Sequence, residues 1–264
     1  MLLSPACSSS GELGVTSMRK TVIWFAVSCT VLASMTVMAQ RFGRGGRWNT
    51  EQNNPPSTEI VVARWKFGNN GWVGGYGWAH NYPSSDQNLN QFIQEATGID
   101  IDRMSYLWIE LGDENVFDYP FAYVSEPGEM ELSEQEVENL REYVNRGGFV
   151  LLDDFDGPQQ LANMQGQVQR AFPNKSWVAL DIGHPIFRAQ YELDDLHAMD
   201  DYVSGGYTTY YALFNDAGDV VMVAGHNNDL ANFWDWFDLP GTPIGPATDA
   251  FRLGVNYMVY ALTH

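Results

Sequence analysis

The sequence predicts an α/β fold in which a mainly parallel sheet carries helices on both faces. Three observations predict it. Strand-like and helix-like stretches alternate through the first two-thirds of the chain, the pattern that βα units produce. Phe149-Val150-Leu151-Leu152 is apolar without alternation, as a strand covered on both faces has to be. That strand ends on Asp153 and Asp154, at the end where open α/β sheets place their ligand sites.

Each element has a local reason. Residues 59–67 (EIVVARWKF) form a strand rich in β-branched and aromatic side chains. Residues 68–85 carry Gly, Trp72, Tyr76, Trp78 and Tyr82 with no regular period, and read as a long surface loop. A helix follows: Ser84 and Gln87 are spaced for a capping box, Leu89, Phe92, Ile93 and Ala96 share one face, and Gly98 ends it. Residues 106–111 and 121–124 are the second and third strands. Ser133 and Glu136 make a capping box, Val137, Leu140 and Val144 line one face of the helix behind it, and Gly147-Gly148 stops that helix before the central strand. Pro158 opens the next helix, with Leu161, Met164, Val168 and Phe172 on one side. Residues 177–180 are strand-like. Residues 210–215 and 220–225 flank Asp216-Ala217-Gly218 and read as a C-terminal hairpin. Residues 249–262 are apolar on nearly every side and form a buried closing helix.

Composition narrows the function. The chain has 264 residues with 33 acidic against 14 basic side chains, a net charge of −19. Nucleic-acid binding needs clustered Lys and Arg, and there is no such cluster. The acidity serves solubility, or it binds cations or a basic partner. At the N-terminus, Arg19-Lys20 precede an uncharged, largely apolar run over 21–38, and Val37-Met38-Ala39 resembles a small-residue cleavage site. Residues 1–39 are therefore expected to be a signal peptide, with 1–17 untranslated if Met18 is the initiator. The mature chain would start at Gln40 and be periplasmic or secreted. The alternative is an uncleaved inner-membrane anchor through 21–38, at the lower limit of length for a span. Residues 40–57, rich in Gly, Arg, Asn and Pro, are expected to be a disordered linker, and 58–264 one domain. Cys7 and Cys29 both precede Gln40, so the mature chain would hold no disulfide, thiolate metal site or cysteine nucleophile.

Four polar or aromatic clusters are candidate sites. Asp153, Asp154 and Asp156 follow the central strand and suit a divalent cation or an acid–base division, against simple capping of the helix at Pro158. His184, before Pro185 at a strand exit, either projects into a cleft or is a hydrogen-bonded structural histidine. His226-Asn227-Asn228-Asp229 follows an apolar run and suits a polar ligand or cation, against a turn and helix cap. Trp72, Trp78 and Tyr82, with Trp234 and Trp236, are an aromatic contact surface for a sugar or peptide, or else aromatics that pin their own loops. No G-x-S-x-G elbow, H-E-x-x-H, Walker loop or G-x-G-x-x-G is present, and Gly43-Arg44-Gly45-Gly46 sits in the linker. No cofactor is identified beyond a possible divalent cation.

Tyr119-Pro120-Phe121-Ala122-Tyr123, Leu140 through Asp154 with its Gly147-Gly148 pair, His184-Pro185-Ile186-Phe187, Asn227-Asn228-Asp229 and Arg252-Leu253-Gly254-Val255-Asn256 occur in an order that resembles a bacterial family of unknown function, the DUF4159 family. The resemblance runs from about Glu59 to His264. It implies the class I glutamine amidotransferase-like fold, a flavodoxin-like three-layer sandwich. Active members of that fold carry a cysteine at a glycine-flanked strand-to-helix turn. The corresponding turn here is Leu152-Asp153-Asp154-Phe155, and a carboxylate cannot replace the thiolate in amide hydrolysis. The expectation is an exported, non-catalytic domain that binds a ligand or an envelope protein. The rival is a carboxylate- or metal-dependent hydrolase of an envelope glycan or peptide, using Asp153, Asp154, His184 and Asp229. A third reading is a subunit of an envelope complex, joined through the aromatic loops.

Overall fold

Side chains that alternate between two covered faces along the strands set the layers of this protein. In a computed structural model that describes Met1 and residues 49–71 and 74–264, seven strands form one sheet in the order β2-β1-β3-β4-β7-β6-β5. They are β1 (Val62–Lys66), β2 (Tyr106–Glu110), β3 (Phe121–Ser125), β4 (Phe149–Phe155), β5 (Val178–Ala179), β6 (Thr209–Phe214) and β7 (Val220–His226). β1 pairs in parallel with β2 and β3, β3 with β4, and β4 with β7, while β6 runs antiparallel to both β7 and β5.

Phe121, Tyr123, Phe149 and Leu151 point to one face of the sheet and Ala122, Val124, Val150 and Leu152 to the other. The first face is covered by α1 (Ser84–Ala96), α4 (Leu230–Trp236) and α5 (Ile244–Thr263), the second by α2 (Glu134–Asn145) and α3 (Gly157–Ala171). Both faces of β4 are therefore dry, which is why its apolar run does not alternate. Each fully buried Leu or Phe in these layers contributes about 1.5–3 kcal/mol. The result is an α/β fold with a mostly parallel sheet between helical layers. No helix among the described residues is long and apolar enough to cross a membrane; the apolar run 21–38 lies outside the described residues.

Several local expectations hold and others need correction. The Ser133–Glu136 box forms in full, and Gly147 ends α2 at φ +92°. The box expected at Ser84 does not form. Pro83 is the N-cap, and Gln87 donates instead to the Tyr106 hydroxyl at 2.7 Å. Asp156 occupies the N-cap of α3, yet its side chain makes no capping bond. The helix α4 was hidden in the run after Asn228. Hydrogen bonding begins earlier than Thr58, because Gln52 and Asn53 grip the outer edge of β2. The Gln52 amide donates to the Trp108 carbonyl at 2.7 Å and accepts from the Trp108 N–H at 3.2 Å.

Candidate functional site

The chain leaves β1 for β2 on one side and returns to β3 on the other, so strand order reverses between β1 and β3. In doubly wound sheets the crevice at such a reversal, outside the carboxyl ends of the strands, is where ligands bind. Three segments converge there: the loop after β1, the end of β3 and the end of β4.

The loop after β1 is fixed by a buried guanidinium. Arg64, on β1, donates to both Asp86 oxygens (3.3 and 2.7 Å), to Ser85 Oγ, and to the carbonyls of Trp78 and His80. The loop also packs tightly on the end of β3. A Cβ on Gly77 would lie 2.8 Å from Glu126 Cβ and from Glu129 Oε2, so only glycine permits this approach. These constraints deliver His80 to Asp154, with Nδ1 and Oδ2 2.5 Å apart. Burial lowers the basicity of His80, but the Asp154 charge and hydrogen bond outweigh it and raise the pKa above the usual histidine value.

Asp154 lies in an irregularity of β4, between Leu152 and Phe155, with φ +64°. Its carboxylate takes the His80 contact and a 3.3 Å bond from Ser125 Oγ. A serine donating to the aspartate rather than to the histidine is not wired as a nucleophile. Glu126, at φ +53° beyond β3, stands beside them. One ligand atom from each of His80, Glu126 and Asp154 falls within 4.8 Å of the others. Burial, then the charges of Asp154, Glu129, Asp156 and Asp153, push the Glu126 carboxyl up to about 9.

Acidic neighbours surround this centre. Asp153 is fully buried on the α1/α4/α5 face. Its Oδ2 accepts from the Tyr123 hydroxyl and from the Leu230 and Ala231 amides at the start of α4, at 2.9, 2.9 and 3.2 Å. Its Oδ1 has no hydrogen-bond partner among the described residues. Burial and Asp154 hold its pKa at about 7 against the pull of those three donors. Burial and Asp154 likewise hold Asp156 at about 6. Asp229 N-caps α4 through the Asn232 amide at 2.9 Å, and burial with Asp154 and Asp153 raises its pKa well above the carboxylate range. The Asp154 charge acts on every one of these groups. The non-glycine residues at positive φ among the described residues are Asn81, Glu126, Asp154 and Asn227, and all of them lie at this edge.

The remaining candidates are distributed differently. Because β7 runs parallel to β4, Asp229 reaches the same edge as Asp153 and Asp154, although β6 and β7 are antiparallel. His226, Asn227 and Asn228 reach that edge too, but their side chains tie down backbone and neighbours. His226 Nε2 contacts the Gly157 carbonyl at 3.0 Å. Asn227 accepts from the Gly157 amide and donates to the Tyr207 carbonyl, and Asn228 donates to the Tyr210 hydroxyl. His184 does not join the cluster. The chain turns sharply after the two-residue β5, and His184 accepts from the Ile186 amide and packs beside Phe214 and Tyr260. Phe214 pairs with Val220 at the start of β7, the opposite edge from His226. The shared site of Asp153, Asp154, His184 and Asp229 therefore loses its histidine.

The aromatic contact surface is also corrected. Trp78, Tyr82 and Trp234 are 3%, 5% and 1% exposed and belong to the core. Trp78 packs on Trp108 and Tyr82 on Tyr106, pinning the loop that carries His80. Trp236 is half-buried, and Trp72 lies outside the described residues.

Residues 62–262, from the start of β1 to the last turn of α5, match the family described as Domain of unknown function (DUF4159). The chain belongs to the DUF4159 family. No curated protein matches it. The family region contains every residue of the acidic centre; of its two decisive members, His80 is visible from sequence only as a neighbour of the aromatics in the Gly-rich loop, and Glu126 is not singled out. A signal was present. The strand-end rule that singles out Asp153-Asp154 after β4 selects Ser125-Glu126 when applied to β3, and the loop after β1 holds one histidine.

Proposed function

We propose that this DUF4159 chain is a non-catalytic binding domain of amidotransferase-like, flavodoxin-like architecture, exported from the cytoplasm, which takes a ligand or a protein partner at the acidic edge around Asp154. The observation that carries the reading is the concentration of backbone strain. Asn81, Glu126, Asp154 and Asn227 all hold left-handed conformations at this edge. Such conformations cost about 1–3 kcal/mol each and persist where the surroundings impose them, most often at ligand sites. The strand order and its reversal between β1 and β3 support the flavodoxin-like assignment. In the amidotransferase-like reading, Asp154, strained at a strand-to-helix exit, would take the place of the catalytic cysteine, and a carboxylate there supports loss of that activity rather than its retention.

The carboxylate-dependent hydrolase remains the second reading, favoured by one observation. The Glu126 carboxyl, pushed up to about 9, stands beside the His80–Asp154 pair, and a positioned acid next to an imidazole–carboxylate pair is an arrangement acid–base catalysis uses. Native mass spectrometry of the purified protein tests the binding reading. A co-purifying ligand or partner is expected on the wild type and is expected to be lost from Asp154→Asn, while no ammonia is released from glutamine. Equal retention by both proteins, or glutaminase activity, would overturn it. N-terminal sequencing tests export: the expected start is Gln40, and a cytosolic chain retaining 18–39 would refute it.

A further inference from the structure

We propose that a ring nitrogen of His80, with Glu126 and Asp154, forms a binding site for one divalent first-row transition ion, the Mn²⁺ or Zn²⁺ class, at the reversal between β1 and β3. This deepens the binding reading and rests on it. The three ligand atoms lie within 4.8 Å of one another, each from a different segment. Metal–ligand bonds of about 2.0–2.2 Å set neighbouring donors roughly 3–3.5 Å apart, so side-chain shifts of about 1 Å would bring the trio to a coordination shell. The 2.5 Å separation of His80 Nδ1 and Asp154 Oδ2 is too close for two ligands of one ion. An entering ion replaces the proton they share and moves them apart by about 1 Å.

A second feature points the same way. Asp153, next in the chain to Asp154, has zero exposure and presents an Oδ1 that no donor among the described residues satisfies. Buried polar atoms are nearly always hydrogen-bonded, and an isolated acceptor here is unexpected. Its Oδ2 is locked by three donors, so the carboxyl cannot rotate away to find a partner without losing them. Asp154 is near enough for its charge to act on the Asp153 carboxyl, so a water on an ion held by Asp154 would supply the missing donor.

The donor set selects the class of ion. One imidazole nitrogen with two carboxylates and no thiolate suits Mn²⁺, Fe²⁺ or Zn²⁺, whereas Ca²⁺ and Mg²⁺ prefer oxygen alone. Three protein ligands leave coordination positions for water or for an anionic group of the bound ligand.

Chelator-treated full-length chain, titrated calorimetrically and melted with Mn²⁺, Zn²⁺, Mg²⁺ and Ca²⁺, tests the site. Wild type is expected to bind Mn²⁺ or Zn²⁺ at one per chain with a raised melting temperature, and Mg²⁺ and Ca²⁺ at least tenfold more weakly. Glu126→Gln and Asp154→Asn should each lose at least tenfold in affinity. Glu110→Gln, on the β2 edge, should bind as wild type. Glu126→Gln retains shape and removes a buried acid, so its metal-free melt should not fall below wild type; this separates loss of ligand from loss of fold. Absence of transition-ion binding, or binding unchanged in both ligand variants, would overturn the site. If no ion binds but the co-purifying ligand still depends on Asp154, the metal is wrong and the binding edge stands. If both fail, the binding reading falls with it.

Discussion

Two charge centres, one buried and one half-buried, lie at the same end of the sheet, and they are built on opposite principles. Around Arg64, five hydrogen bonds satisfy the guanidinium, a carboxylate neutralises it at 2.7 Å, and the Tyr123 ring lies 4.5 Å beneath it. Around Asp154, several carboxylates face one histidine, one oxygen of Asp153 is unsatisfied, and Glu126 keeps its proton far above the usual range. The first centre is complete within the chain and holds the loop after β1 in place. In the second, the Asp153 oxygen has no donor among the described residues, and carboxylates outnumber the groups that would balance them. A buried group that the fold satisfies is architecture, and one left uncompensated marks a place to look for a ligand.

The largest expected effect breaks the complete centre. Asp86→Ala leaves Arg64 buried without its counter-charge and should cost about 3–5 kcal/mol in urea unfolding. The double change Arg64→Met with Asp86→Leu should recover most of that loss; if it does not, the pair does more than hold the loop.

The incomplete centre should respond in the other direction. An unfolded glutamate ionises near 4.5, whereas Glu126 in the fold does so at about 9. A raised acid pKa means that the folded state holds the proton more tightly. Stability from this group is therefore full below pH 4.5, falls as pH rises, and is exhausted near pH 9. Asp153, Asp154, Asp156 and Glu129 all hold the proton on Glu126, and the basic neighbour His80 is paired with Asp154, so the sign stands. Glu126→Gln should match wild type in acid and exceed it by roughly a few kcal/mol at pH 9 without metal. Equal slopes of stability against pH for the two proteins would remove Glu126 from the centre.

Asn227 sharpens the contrast, since it shares the strained edge but spends its side chain on the scaffold. Asn227→Ala loses two hydrogen bonds at φ +57° and should cost about 1–3 kcal/mol, while Asn227→Gly should recover roughly 1 kcal/mol of that by accepting the backbone. The smallest effect is expected at the surface. Lys66–Glu110 is 39% and 52% exposed, and Glu110→Gln should change stability by under about 1 kcal/mol, less at high salt.

Much of the fold could be read from sequence because local chemistry and tertiary burial agree there. The Ser133 box, the Gly147 stop and the unalternating run through Leu152 each have one physical solution, and the fold adopts it. The site was legible only in part. Asp153, Asp154 and Asp229 follow apolar runs and were visible as strand ends. His184 carried the same signal, but β5 has only two residues and the chain turns at once to the other edge. His80 lies in a loop without period, and only the long-range bonds from Arg64 decide where that loop goes. The aromatics misled for a related reason. Trp78 and Tyr82 sit in a Gly-rich segment that looks solvent-exposed, and whether a loop tryptophan faces water or the body depends on contacts distant in sequence, here Trp108 and Tyr106.

The amide of Gln52 on the rim of β2 has a consequence for what that edge of the sheet can pair with. An open strand edge invites another chain to add a strand, and that strand then exposes a fresh edge to the next. Gln52 occupies both outward-facing backbone groups of Trp108 with a side chain, and Asn53 takes the Tyr106 carbonyl in the same way. A side-chain amide fills the template but offers no backbone ladder of its own, so pairing ends with it. The few residues ahead of the first strand thus work as a terminator, and a chain shortened past Asn53 would carry a sheet able to recruit its own copies.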